Sequence, residues 1–233
     1  MRYQEVVACP FCGDESGQWD IGLQPLPSDQ SEIWKRDETR YSICRCGGAF
    51  QNPMPTDASL ANFYRQEYRV ICPVRNGEWA RAKWVFPYLP PDPGEMLDVG
   101  CSEGELMKLA KGVGWRVTGV EPNRDVAQRD NGLGLIYRTL EEVCGTFDLV
   151  TAIHVLEHVP GPIPFLRQMM SHLRPGGEML IVVPKNSYRP PHLLGMAESQ
   201  VRPLFERVGL TITMLETVET KTDAKADIIV RAH

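Results

Sequence analysis

The chain has no apolar run approaching the roughly 20 residues that cross a bilayer. Its opening residues, MRYQEVVACP, hold no apolar core of the signal-peptide kind. Together these absences predict a cytoplasmic protein with no membrane partner. A surplus of positive charge is also missing. The net charge is −5, so there is no overall basic face for a phosphate backbone, and nucleic acid is not the expected partner. Neither the dinucleotide fingerprint G-x-G-x-x-G nor a Walker A lysine occurs, which argues against phosphoryl transfer on a P-loop. Internal repeats and low-complexity tracts are absent, which excludes a solenoid.

What is present suits an ordinary globular protein. The 233 residues, 42% hydrophobic and 24% charged, fit one domain of about 150 residues plus a smaller module. Of seven cysteines, four fall in close pairs, Cys9/Cys12 and Cys44/Cys46. In a reducing compartment such pairs signal a metal rather than disulfides. Residues 1–52 lack long periodic segments and hold only short strand-like pieces. Residues 53–94 read as a helical connector, with Thr56 or Asp57 capping a helix through ASLANFYRQEY and a second helix over Gly77–Phe86. The proline cluster PPDPG then serves as a linker.

From 95 to 233 the pattern alternates. Strands MLDVG, RVTGVE, LIYR, FDLVTAI and EMLIVVP are separated by helical segments, among them RDVAQRDNG. This predicts an α/β, Rossmann-like sheet. A helix near 198–208 precedes LTITMLETVE, and ADIIVRA ends the chain. Only about six residues join these last two strands, too few for a helical crossover, so they are expected to pair antiparallel. The expected fold is a seven-stranded sheet with an antiparallel last strand, plus a small N-terminal zinc ribbon.

The chemistry concentrates in MLDVGCSEGELMKLAKGVGWRVTGVEPN. A strand ends at Asp98, a glycine turn follows with Gly100 and Gly104, and the next strand ends at Glu121. Glycines let backbone approach a ligand, and an acid at the next strand end accepts ribose hydroxyls. Asp98-Val-Gly100-Cys101-Ser102-Glu-Gly104 resembles the first motif, D-x-G-x-G-x-G, of the class I S-adenosylmethionine-dependent methyltransferases, with serine at the middle glycine. GVEPN, FDLVTAIHVLEHV and LRPGGEMLIVVP resemble further motifs of that family, in order, over residues 95–184. The resemblance implies S-adenosyl-L-methionine as cofactor. Asp98, Gly100, Cys101, Ser102 and Gly104 would form the pocket for its methionine part. Glu121 would take the ribose hydroxyls, with Pro122 and Asn123 beside the adenine and Thr139 and Leu140 at its edge.

Cys9-x2-Cys12 and Cys44-x-Cys46 can close a tetrahedral four-thiolate site around structural zinc, and Gly13 and Gly47 supply the knuckles. CRCGGAFQNPMPTDASLANFYRQEY is similar to the zinc-ribbon ending of bacterial methyltransferases that act on sugars and other small molecules. That similarity implies Tyr64 and Tyr68 near the cofactor mouth, as against core aromatics of a connecting helix.

The stretch AIHVLEHV places His154, Glu157 and His158 at i, i+3, i+4, on one side of a helical turn. His154 follows a strand at the carboxyl edge of the sheet and is a candidate catalytic base. His192, in YRPPHLLG, is the second candidate. A metal at His154/Glu157/His158, with His192 as a fourth ligand, stays open beside the reading in which Glu157 and His158 only pin a loop. The sequence thus predicts methyl transfer to a hydroxyl or amine of a small molecule or sugar. An rRNA or tRNA methyltransferase, or a non-catalytic cofactor-binding partner subunit, is the alternative. The oligomeric state is left open.

Overall fold

The computed structural model describes residues 1–17, 19–25, 38–67, 77–123, 132–188, 191–220 and 226–233. Tyr68 and all but the last residue of the expected helix RDVAQRDNG, residues 124–132, lie outside them.

Seven strands form the main sheet: β6 (Glu95–Val99), β7 (Arg116–Val120), β8 (Ile136–Tyr137), β9 (Phe147–Ile153), β10 (Leu173–Pro184), β12 (Ile212–Glu219) and β13 (Ala226–Ala232). Their order is β12-β13-β10-β9-β6-β7-β8. β6 to β10 pair parallel, while β13 runs antiparallel to both β10 and β12. The expected Rossmann-like sheet with an antiparallel last strand is what forms. The order reverses beside β6, so the connections leaving the paired ends of β6 and β9 pass to opposite faces of the sheet and leave a crevice between them.

Side chains of the central strands alternate between two cores. Met96, Leu149, Leu180, Val182 and Ile229 face one side, Leu97, Val150, Ile181, Val183 and Val230 the other. The first side packs on helices α2 (Gly77–Val85) and α3 (Glu105–Gly112), through Val85, Met107 and Ala110. The second packs on α4 (Pro162–Ser171) and α5 (Glu198–Val208), through Leu166, Met169, Leu204 and Phe205. Strands apolar on both faces cannot stand in water, which is why VTAI and LIVV read as near-continuous apolar runs.

The N-terminal segment adds β1 (Tyr3–Gln4), β2 (Asp20–Pro25), β3 (Glu38–Ile43), β4 (Ala49–Gln51) and β5 (Met54–Pro55). β2, β3 and β4 form an antiparallel meander whose edge is completed by β11 (Leu194–Gly195). A strand from beyond β10 therefore belongs to the N-terminal sheet. Cys9, Phe11, Cys44 and Phe50 share one apolar cluster with the helices of the second face. Helix α1 (Asp57–Asn62) starts at Thr56, whose hydroxyl accepts from the Ser59 amide at 3.4 Å. It runs into a π-turn over Phe63–Glu67.

Candidate active site

The glycine-turn side of the site begins where β6 ends. Gly100 adopts φ +74°, and a Cβ there would stand 2.4 Å from Val155 Cγ2. Only glycine lets the strand end pass that close to the β9 turn. Ser102, at the position where the family motif has its middle glycine, also takes a left-handed φ of +53°. Its amide donates to Glu121 Oε2 at 3.1 Å, and the Asn123 amide donates to Glu121 Oε1 at 2.9 Å. Glu121 is thus fixed by two backbone donors, and each oxygen retains a second acceptor site for a hydroxyl. Asp98 is buried and accepts from the Thr151 hydroxyl at 2.7 Å. Burial pushes its carboxyl up to about 7, against the Thr151 hydrogen bond and with the charge of Glu121 adding to the rise.

These groups line a cavity of about 540 Å³, a size suited to a cofactor and part of an acceptor. Asp98, Gly100, Cys101, Ser102, Glu121, Pro122, Thr139 and Leu140 line it, as do His154, His192 and Tyr64. Two expected residues stand behind the wall. Gly104 caps α3 at φ +77°. Asn123 turns its amide to the Tyr64 carbonyl at 3.4 Å and ties the connector to the sheet.

The opposite wall is built by the AIHVLEHV stretch, which is not one helical turn. His154 terminates β9 in the left-handed region at φ +56°, and only Leu156–His158 form a 3-10 turn. The non-glycine residues with positive φ among those described, Ser102, His154 and Asn186, follow the ends of β6, β9 and β10. Such conformations cost about 1–3 kcal/mol each and gather at functional edges. Of the three, Ser102 and His154 line the cavity.

His154 Nε2 lies 3.0 Å from Asp227 Oδ2, at the start of β13, and its Nδ1 lies 3.5 Å from Glu157 Oε1. A carboxylate accepts, so Nε2 carries the proton and Nδ1 keeps the lone pair. Burial holds the His154 imidazolium below its usual range, while Asp227 pulls the other way. His158 Nε2 approaches the same Glu157 oxygen at 3.7 Å. Burial raises Glu157 to about 8 and lowers His158 to about 4, each toward its neutral form. Tyr64 Oη meets His158 Nδ1 at 3.0 Å, and the His158 and His192 rings stand 4.9 Å apart edge to face.

The possible metal set is rearranged. Ligating atoms of Glu157, His158 and His192 lie within 4.8 Å of one another, whereas His154 turns away to Asp227. Asp227 and Arg81 escaped the sequence reading. Asp227 sits in the strand ADIIVRA, which carries no motif, and Arg81 in a connector helix without a motif; the Arg81 charge acts on His154, Glu157 and His158.

The four thiols converge as well. Cys9 and Cys46 sulfurs are 3.8 Å apart, Cys12 and Cys44 sulfurs 3.6 Å. Sulfurs about 2.3 Å from a tetrahedral zinc stand about 3.8 Å from each other, so the set fits that ion. Gly13 and Gly47 turn the two knuckles at φ +74° and +86°.

A family model described as a methyltransferase domain matches residues 74–217. The chain belongs to that methyltransferase family. A ubiquinone biosynthesis O-methyltransferase of Xanthomonas axonopodis pv. citri is 28% identical over 152 residues, covering 54% of this chain and 64% of the relative. The enzyme of the same name from Pseudomonas aeruginosa (strain UCBPP-PA14) is 29% identical over 113 residues, 43% of this chain and 49% of the relative. The chain thus spans less than two thirds of the length of these relatives. Among solved structures, the 1,6-didemethyltoxoflavin-N1-methyltransferase of Burkholderia thailandensis, bound to 1,6-didemethyltoxoflavin and S-adenosylhomocysteine, superposes with a TM-score of 0.61 at 18% identity. That match covers 83% of this chain and 94% of the other. A methyltransferase of Leishmania major reaches 0.62 at 13% identity, over 76% and 82% of the two chains. The likenesses establish a methyltransferase fold, and β12-β13-β10-β9-β6-β7-β8 is its sheet in this chain.

Proposed function

We propose that this chain transfers the methyl group of S-adenosylmethionine to a hydroxyl of a small molecule, with His154 as the base. The observation that carries the reading is one cavity with two unlike walls: the Gly100–Glu121 cradle on one side, the Asp227–His154 pair on the other. The cradle suits the cofactor. Gly100 admits close backbone approach, Glu121 offers a carboxylate to vicinal hydroxyls, and the buried Asp98 awaits a cationic group.

The bound cofactor would supply an electrophilic methyl on a sulfonium. The protein's task is then to align the acceptor and remove one proton. Asp227 locks the His154 tautomer, leaving Nδ1 to receive the acceptor's proton. His192, on the same wall, orients the acceptor or shares the proton. The apolar lining, from Leu60, Val85, Ile153 and Phe165, excludes water and suits an aromatic or otherwise apolar acceptor body. The ubiquinone O-methyltransferase relatives favour oxygen over nitrogen as the accepting atom. A sugar acceptor, an RNA acceptor and a non-catalytic cofactor-binding subunit remain the competing outcomes. The test is methyl transfer from labelled cofactor to a panel of catechols, phenols, sugars and tRNA. Turnover on phenolic hydroxyls, lost in His154→Ala, supports the reading; transfer to tRNA alone overturns it.

A second reading rests on Glu157. Neither of its buried oxygens has a hydrogen-bond partner among the described residues, and two histidines stand beside it. A divalent cation there would polarise the acceptor hydroxyl in place of a base. Chelation that abolishes turnover while the four-cysteine site stays loaded would favour it.

A further inference from the structure

The loop carrying His192 is held on one side by the N-terminal hairpin. Its carbonyl accepts from Tyr41 Oη at 2.6 Å and from Gln51 Nε2 at 2.8 Å. Both lone pairs of that oxygen are therefore used. Tyr41 and Gln51 are cross-strand partners in the β3–β4 register, and both side chains are buried. One residue further, the Gln51 amide donates to the Leu193 carbonyl at 2.8 Å, and the Leu193 amide donates to the Glu157 carbonyl at 2.8 Å. Leu194 and Gly195 then pair with Phe50 and Ala49 as β11. The peptide units from 192 to 195 are thus fixed between the hairpin and the AIHVLEHV turn.

The other end of the same hairpin is the four-cysteine cluster. Cys44 follows β3 directly, and Cys46 lies in the turn before β4. Its geometry fits zinc, as argued above. Besides the thiols, the turn from Cys44 to Gly48 is closed by backbone bonds from Cys44 N to Gly48 O at 2.9 Å and from Gly47 N to Cys44 O at 2.7 Å. Tyr41 lies three positions before Cys44 and Gln51 five after Cys46.

We infer that the four-cysteine hairpin is the positioning element of the acceptor wall, with Tyr41 and Gln51 as positioning residues that set His192 against His158. The inference rests on the proposed role of His192 in the acceptor site. It gives the cysteine cluster a task beyond local folding: metal occupancy at one end of β3–β4 determines where the His192 ring sits at the other. The cofactor cradle, built on β6 and β7, shares none of these bonds, so the two halves of the cavity are separable.

The experiment uses the zinc-loaded full chain, Tyr41→Phe, Gln51→Leu, and the wild-type chain after reversible zinc removal. Amide exchange of residues 192–195 is followed by mass spectrometry, and the His192 imidazole resonance, assigned with His192→Gln, by NMR. S-adenosylhomocysteine binding is measured on each sample. Loss of one buried hydrogen bond is expected to speed exchange of the loop about fivefold. The His192 resonance moves in both variants and on zinc removal, returns when zinc is restored, and S-adenosylhomocysteine affinity stays within about twofold throughout. Unchanged loop exchange with an unmoved His192 resonance, in the variants or in the metal-free chain, overturns the inference. So does a parallel collapse of S-adenosylhomocysteine binding, which would mark general unfolding. If no sample binds S-adenosylhomocysteine, the proposed function fails, and loop exchange still decides the coupling.

Discussion

Asp227 and His154, 73 positions apart, meet at 3.0 Å where the antiparallel last strand begins and the fourth parallel strand ends. β13, next to the edge strand β12, is the one strand of this sheet among the described residues that runs against its neighbours. Because it does, its first residues, rather than its last, lie at the carboxyl edge of the parallel strands. That reversal brings the buried Asp227 carboxylate onto His154.

Replacing Asp227 by Asn tests the pair. An amide can donate to Nε2 and so favours the wrong tautomer, with the proton on Nδ1. Turnover is expected to fall by about 10²-fold or more. S-adenosylhomocysteine affinity, read by calorimetry, should hold, because the cradle is untouched.

The cradle has its own test. Gly100→Ala drives a Cβ to within 2.4 Å of Val155 Cγ2 and forces an L-residue to φ +74°. Cofactor-analogue binding should drop by more than about tenfold. Ser102→Gly goes the other way. It relieves a left-handed serine and should raise thermal stability by about 1 kcal/mol, measured as an upward shift of Tm.

Asp98 sets a pH dependence whose sign is definite. Its folded pKa, about 7, is above the ordinary value of 3.8, so the folded state holds the proton longer than the unfolded one. Its contribution to stability is complete below about 4, is lost as pH climbs to about 7, and is flat above. A cationic ligand group beside Asp98 favours the carboxylate. Cofactor affinity should therefore rise with pH up to about 7 and level off. Asp98→Asn should remove that slope in a calorimetric pH series.

Removal of the metal from the four-cysteine site should lower stability by several kcal/mol, since closing a thiolate site contributes folding energy directly. Elemental analysis is expected to give one zinc per chain, and Cys44→Ser to lose it. A chain that carries no zinc contradicts the assignment.

The sheet was legible in the sequence because its central strands are buried on both faces and read as mostly apolar runs. FDLVTAI and ADIIVRA coincide with β9 and β13. The glycine turn was legible because backbone approach demands particular residues at a fixed spacing. The AIHVLEHV turn was misread as helical, since spacing alone does not reveal that His154 takes a left-handed φ. Asp227 was hidden because its partner comes from a distant strand, and a single acid in an apolar strand carries no periodic signal. The support of His192 by Tyr41 and Gln51 was equally invisible, as it depends on β11 joining the N-terminal sheet.

The most direct test is a crystal structure with S-adenosylhomocysteine bound. The account predicts ribose hydroxyls on Glu121, and sulfur directed across the cavity so that His154 Nδ1 or His192 lies within about 5 Å of the methyl path. A sulfur directed away from both histidines, or a ribose that ignores Glu121, would contradict it.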